Sequence, residues 1–190
     1  GIPRDPSRLV QDCGAGLVQV RQEGERLAFA APPLRRSGPV ADELAEAVLR
    51  ALQVDPSQVR DLAWIDNGPG WIGVDLGTAQ AVLELEPDVA AFADLQVTVL
   101  GRHDDPEAGA DVEVRAFYAE GRDFSEDPVT GSANAGLAQW LIGEGALPTT
   151  YVARQGTRLG RAGRVFVEHD GTDIWVGGAV TPCVTGQIEA

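Results

Sequence analysis

The chain has 190 residues, 44% of them hydrophobic and 23% charged, with 15 basic against 29 acidic side chains and a formal net charge of −14. That length suffices for one domain with a sizeable core, while the acidic balance excludes a phosphate-tracking nucleic-acid binder and opposes adsorption to an anionic bilayer. No apolar stretch reaches the roughly 20 residues of a helical membrane span, so the composition describes a soluble globular protein, with no nucleic-acid or membrane partner and a reducing cytoplasm as the expected setting.

The opening stretch Gly1–Gly16 reads as a loop punctuated by Pro3, Pro6, Gly14 and Gly16. Two strand-like runs within Leu17–Ala31 flank Gln22-Glu23-Gly24-Glu25 and predict a hairpin, ended by Pro32 and Pro33. In Val40–Val54 the apolar residues Leu44, Val48, Leu49 and Leu52 recur at helical spacing, and Asp55-Pro56 stops the helix. Strands are predicted at Asp61–Ile65 and Trp71–Val74, joined through Asn67-Gly68-Pro69-Gly70, a turn that could also form the lip of a cleft. Helical turns follow over Thr78–Leu85 and Pro87–Leu95, then strands at Gln96–Leu100 and Val112–Tyr118. Arg164–His169 and Thr172–Val176 flank Asp170-Gly171, where a tight turn wants positive φ. Ala179–Ile188 reads as a last, interrupted strand. Many strands and few helices predict the α+β class.

Several chemistries are excluded by absence. All 15 basic residues are Arg, so no lysine is present for a Schiff base, a Walker-A loop or a lysine general base. Cys13 and Cys183 sit near opposite ends and do not form a disulfide framework, and His103 and His169 lack any CxxC or HxxxH spacing, so no metal site is expected. The run from Gln155 through Gly156, Gly160 and Gly163 lacks a lysine and precedes a strand, which argues against a phosphate loop; Arg161 within it reads as structural. Arg35-Arg36 reads as a solvated pair, and the cysteines as buried structural residues.

The informative segment is Glu126-Asp127-Pro128-Val129-Thr130-Gly131-Ser132-Ala133, which leads into a run with no charged residue between Gly131 and Gly143. A helix apolar around its whole circumference is buried on all sides, and in a chain made mostly of strands its place is inside a curved sheet. Thr130 or Ser132 is the candidate N-cap. The first amides of a helix lack internal partners and carry the positive end of the dipole, so Gly131 and Ser132 define a candidate seat for a carboxylate, with Asp127 placed to move or steer a proton. An ordinary loop-to-helix cap is the plain alternative.

The run EDPVTGSA, its apolar helix and the following QG-x-x-x-G-R resemble the phenazine-biosynthesis (PhzF-like) isomerase family. VQDCGAGLVQV and RAFYAEGRDF before it, and VGGAV…GQI at the end, extend the resemblance over essentially the whole chain. The resemblance implies a diaminopimelate-epimerase-like fold of two halves. In each half a curved, mostly antiparallel, barrel-like sheet wraps a central buried helix, with the active site in the cleft between the halves. It implies a cofactor-independent isomerase, with no cofactor, moving a proton on a small unsaturated or cyclic carboxylate, and a homodimer. Matched residue by residue, Asp127 falls on the family's active-site Asp, and Gly131 and Ser132, after Thr130, on the residues that hold substrate.

The family's principal Glu and its Gly-His-Pro histidine have no counterpart here, since His103 precedes Asp104 and His169 precedes Asp170. The chain therefore matches the C-terminal half alone, with residues 1–14 a connector and 15–190 the domain, and half of a site. The absence of Met and the Pro-rich start Ile2-Pro3-Arg4-Asp5-Pro6 fit an N-terminal half that is a separate chain or has been removed. Alternatives are a thiol-type epimerase or racemase of the same fold, disfavoured because no cysteine lies in the EDPVTGSA segment, and a non-catalytic carboxylate-binding module.

Overall fold

The computed structural model describes residues 8–186 apart from residue 122. Strands β1 (Arg8–Cys13), β2 (Gly16–Glu23) and β3 (Arg26–Ala30) form an antiparallel ribbon. Next come β4 (Arg36–Pro39), helix α1 (Asp42–Leu52), β5 (Asp61–Asp66), β6 (Ile72–Thr78), the short α2 (Ala79–Glu84) and β7 (Gln96–Arg102). β8 (Val112–Glu120) and β9 (Asp123–Asp127) lead into α3 (Gly131–Gly143), and β10 (Thr150–Gln155), β11 (Gly163–His169) and β12 (Ile174–Ala179) follow. The strands make a single sheet in the order β1-β2-β3-β12-β11-β10-β8-β7-β6-β5-β4, with β9 paired to β8. Pairing is antiparallel except at β6–β7 and β8–β10.

The α+β class and the predicted hairpins, helices and central strands are present, but three expectations are corrected. The opening stretch is not all loop, because Arg8–Cys13 pairs with Gly16–Arg21; residues 1–7 lie outside the described residues. Residues 180–186 form no strand, and the expected strand beyond them lies outside the described residues. The sheet curls but does not close into a barrel, since β1 pairs only with β2 and β4 only with β5 among the described residues. β4 is four residues long and ends in Pro39, which has no N–H to offer a further strand, so the sheet stops there.

The enclosure of α3 is real despite the open edges. Side chains alternate across a strand, and β8 sends Val112, Val114 and Ala116 toward α3 while Phe117 and Ala119 join α1 and α2 on the other face. The sheet bends enough that both β12 and β5, with five strands between them in its order, touch α3. Ala133 through Ala138, with Trp140 and Leu141, are buried, as the uncharged circumference predicts. Gly136 shows how close the approach is: a Cβ there would stand 2.5 Å from the Ile65 carbonyl oxygen on β5. α1 is amphipathic instead, burying Val48, Ala51 and Leu52, with Asp42 and Glu43 in the first turn and Arg50 in the last, each on the favourable end of the dipole. Buried Arg115 on β8 binds both oxygens of Glu126 at 2.9 Å and donates to the Val82 and Leu85 carbonyls at 3.2 and 2.8 Å. It thereby fastens β9 and the end of α2 to the sheet.

Candidate functional site

β9 ends at Asp127 and α3 begins four residues later at Gly131, so the EDPVTGSA run is the junction between the sheet and its enclosed helix. Gln155, the last residue of β10 and fully buried, organises this junction. Its Oε1 accepts from the Thr130 backbone N–H at 3.0 Å and from Asn134 Nδ2 at 2.9 Å, while its Nε2 donates to the Asp127 carbonyl and to Thr130 Oγ1, both at 2.9 Å. A backbone N–H can only donate and a carbonyl can only accept, so these two contacts fix which end of the carboxamide is oxygen. Thr130 Oγ1 thus accepts from Gln155 and spends its own hydrogen on Asp127 Oδ2, 2.8 Å away.

Thr130 occupies the N-cap position, but its hydroxyl makes no capping bond to the first turn. The expected side-chain cap is therefore corrected, with a physical reason: Thr130 Oγ1 already accepts from Gln155 Nε2 and is turned toward Asp127, away from the first-turn amides it would accept from as a cap. The helix N-terminus keeps its first-turn amides uncapped. Close packing holds the approach in place. A Cβ on Gly156, at φ +86°, would meet the Pro128 carbonyl oxygen at 2.7 Å, and one on Gly163 would meet Val129 Cγ2 at 2.5 Å. The QG-x-x-x-G-R segment is a packing wedge under the junction, in a single 3-10 turn before β11.

Ser132 opens on a hollow of about 500 Å³ whose walls include Phe29, Pro32, Arg35, Asn67 and Pro69. Two bonds orient it. Trp71, only 3% exposed, donates its indole N–H to Ser132 Oγ at 2.9 Å, and Asn67 Nδ2 donates to the Ser132 carbonyl at 2.8 Å. Asn67 is itself on a loop folded around Asp66, whose Oδ1 accepts from the Gly68 and Gly70 amides at 2.7 Å each. The Asn67–Trp71 turn thus does form one lip of the hollow. Gly131 lies against Phe29, with its Cβ position 3.1 Å from the ring.

Thr130, Gly131 and Ser132 stand together at the helix start, and Asp127 is joined to them through the Thr130 hydroxyl. Asp127 is half-buried and is not a wall residue of the hollow that Ser132 lines. The expected burial of the cysteines is corrected: both are exposed, because Cys13 ends β1 beside its turn and Cys183 lies past β12, each away from the core. Neither lines the hollow of Ser132. Arg35 and Arg36 are both exposed, as expected of a solvated pair; in addition Arg36 stacks over the Trp64 ring at 3.7 Å and Arg35 is on the wall of the hollow. Sequence reading names Gln155, Trp71 and Arg35, each within a run or pair, but gives none of them a role beside Asp127 and Ser132.

The fold is shared with solved phenazine-biosynthesis structures. A PhzF-family protein from Enterococcus faecalis superposes with a TM-score of 0.65 at 23% identity, covering 91% of this chain and 61% of that one. The family model described as phenazine biosynthesis-like protein matches residues 2–185, and the chain belongs to this PhzC-PhzF family. Among curated relatives, antisense-enhancing sequence 1 of Schizosaccharomyces pombe is 28% identical over 202 residues, covering 95% of this chain and 66% of the relative. An uncharacterized isomerase of Pasteurella multocida is 25% identical over 187 residues, covering 96% and 63%. The chain thus spans slightly less than two thirds of the length of these relatives. Among the described residues no helix is long and apolar enough to cross a membrane, and no cluster of three or more His, Cys, Asp or Glu side chains could hold a metal ion.

Proposed function

We propose that this chain is the C-terminal half of a cofactor-independent isomerase that transfers a proton on a small unsaturated or cyclic carboxylate. In this reading the substrate carboxylate is seated by the Gly131 and Ser132 amides and the Ser132 hydroxyl, at the positive end of α3. Trp71 donates to Ser132 Oγ, so the serine's own hydrogen stays available to a ligand oxygen. Asp127 takes part in proton transfer, and its second oxygen, Oδ1, accepts no hydrogen bond within the described residues. Thr130 orients it. The remaining third of the relatives' length supplies the complementary Glu and His acid–base groups and closes the cleft, as a separate chain or as the rest of one polypeptide, in a homodimer.

The observation that carries the reading is the junction itself: Asp127 accepts from the Thr130 hydroxyl at 2.8 Å, just before an uncapped helix start, inside a chain that matches the family over residues 2–185. Against the thiol-type alternative, neither cysteine lines the hollow of Ser132.

The test is solvent-deuterium incorporation into a panel of small unsaturated and cyclic carboxylates by the complete protein. Asp127→Asn lowers exchange by ~10²–10⁴-fold, the usual contribution of a proton-transfer group, while the melting temperature holds. Near-native exchange by that variant reduces Asp127 to a structural role. Exchange by this chain alone, without the rest of the relatives' length, removes the half-site reading.

A further inference from the structure

Arg35 is the single charged residue on the wall of the hollow that Ser132 lines. Its backbone is fixed at the lip, because its N–H donates to the Asp66 carbonyl at 2.7 Å, next to the Asn67 loop. Its guanidinium gives one of five N–H donors to the Gly14 carbonyl, at 3.0 Å. Arg21, Arg102, Arg115, Arg154 and Arg158 each face a carboxylate, while Arg35, like Arg26, Arg36, Arg50, Arg60, Arg161 and Arg164, pairs with none among the described residues. What sets Arg35 apart from these other unpaired arginines is its place on the wall of the hollow, with a guanidinium free of carboxylates there.

The rest of the wall narrows what that cation faces. Phe29, Pro32 and Pro69 give it an apolar body, and Ser132 is held by Trp71 so that its hydroxyl donates outward. A ligand in this hollow therefore meets donors and one positive charge on apolar walls. We infer that Arg35 is the specificity-determining residue of the hollow: its planar guanidinium pairs with an anionic carboxylate of a small acid whose apolar part rests against Phe29 and the prolines. The geometry suits a carboxylate, which matches the guanidinium fork with two parallel bonds. This inference rests on the carboxylate-binding reading given above, and adds to it the residue that selects for charge.

The probe is benzoate, with benzamide as its uncharged counterpart, titrated into the chain while the Gly131 and Ser132 amide resonances are followed by NMR. Arg35 is exposed, so its substitution leaves the core untouched, and the melting temperature is recorded for each variant. Arg35→Gln weakens benzoate about fivefold, the size of a solvent-accessible ion pair, and leaves benzamide unchanged. Arg35→Lys, which keeps the charge without the fork, falls between. Raising the salt concentration weakens benzoate binding to the native chain and has less effect on Arg35→Gln. Benzoate binding at the α3 amides with equal affinity in the native chain and in Arg35→Gln overturns the role of Arg35 and leaves the seat standing. Equal loss of benzoate and benzamide in Arg35→Gln assigns Arg35 to holding the Gly14 turn and also overturns it. Absence of benzoate at those amides in the native chain overturns the seat and the selectivity together.

Discussion

Replacing Gln155 with Leu tests whether the junction between sheet and helix depends on one buried carboxamide. Leucine nearly fills the same volume, so packing is largely kept and the polar contacts alone are removed. Four hydrogen bonds disappear, but their loss is unequal. Asn134 Nδ2 keeps a second acceptor, the Thr130 carbonyl at 2.9 Å, and Thr130 Oγ1 keeps Asp127. The Thr130 N–H alone is left without a partner, and Thr130 is buried, whereas the Asp127 carbonyl stays in the β8–β9 ladder opposite Ala116. Orphaning that one donor costs about 2 kcal/mol and the other lost bonds about 1 kcal/mol together, while burying an apolar side chain in place of an amide returns about 1 kcal/mol. The expected net destabilisation is about 2 kcal/mol, read as a lower urea midpoint with an unchanged slope. Hydrogen exchange localises it, because the Thr130 amide loses its protection while the β10–β11 amides keep theirs until global unfolding. A loss below ~1 kcal/mol with the Thr130 amide still protected refutes the reasoning, since no buried donor has then been orphaned.

Gly136→Ala should destabilise the fold by about 2 kcal/mol in thermal or urea unfolding, because overpacking outweighs the ~1 kcal/mol gain in helix propensity. The cause is the 2.5 Å approach to the Ile65 carbonyl oxygen, and a stabilised variant would show that α3 does not press on β5. Asp170 has its carboxyl lowered to about 2, chiefly by the Asp173 and Thr172 amides and then by the Trp175 indole. A depressed folded-state value gives stability that is present above the unfolded value of 3.8 and lost as pH falls through about 2. The stability difference between the native chain and Asp170→Ala should therefore be constant above about pH 4 and shrink toward pH 2 in denaturant titrations; a pH-independent difference refutes this linkage. Trp71→Phe removes the donor to Ser132 Oγ and should weaken benzoate, with smaller shifts of the Ser132 amide, about threefold for one neutral hydrogen bond. Unchanged binding shows that the indole does not orient the hydroxyl.

Some of this protein is determined by sequence alone because the signal is local and periodic. The uncharged run Gly131–Gly143 can only be a helix buried on every side, α1 carries its apolar stripe at 3.6-residue spacing, and Asp170-Gly171 marks a hairpin. The Asp127–Ser132 run is contiguous, so it could be picked out as a unit, and the family it resembles is the one to which the chain belongs. What the tertiary structure decided is non-local. β4 reads Arg-Ser-Gly-Pro and is a strand only because β5 offers it partners, β9 and β10 likewise take their form from β8, and whether the sheet closes depends on edges that no short window contains. The site divides the same way. Trp71 reaches Ser132 across 61 residues, Gln155 reaches Asp127 across 28, and Arg35 meets the hollow only because its backbone is bonded to β5. A motif in sequence names the residues that share one turn of chain, whereas the groups that orient them and set their charge preference come from strands that pair only once the sheet has curled around its helix.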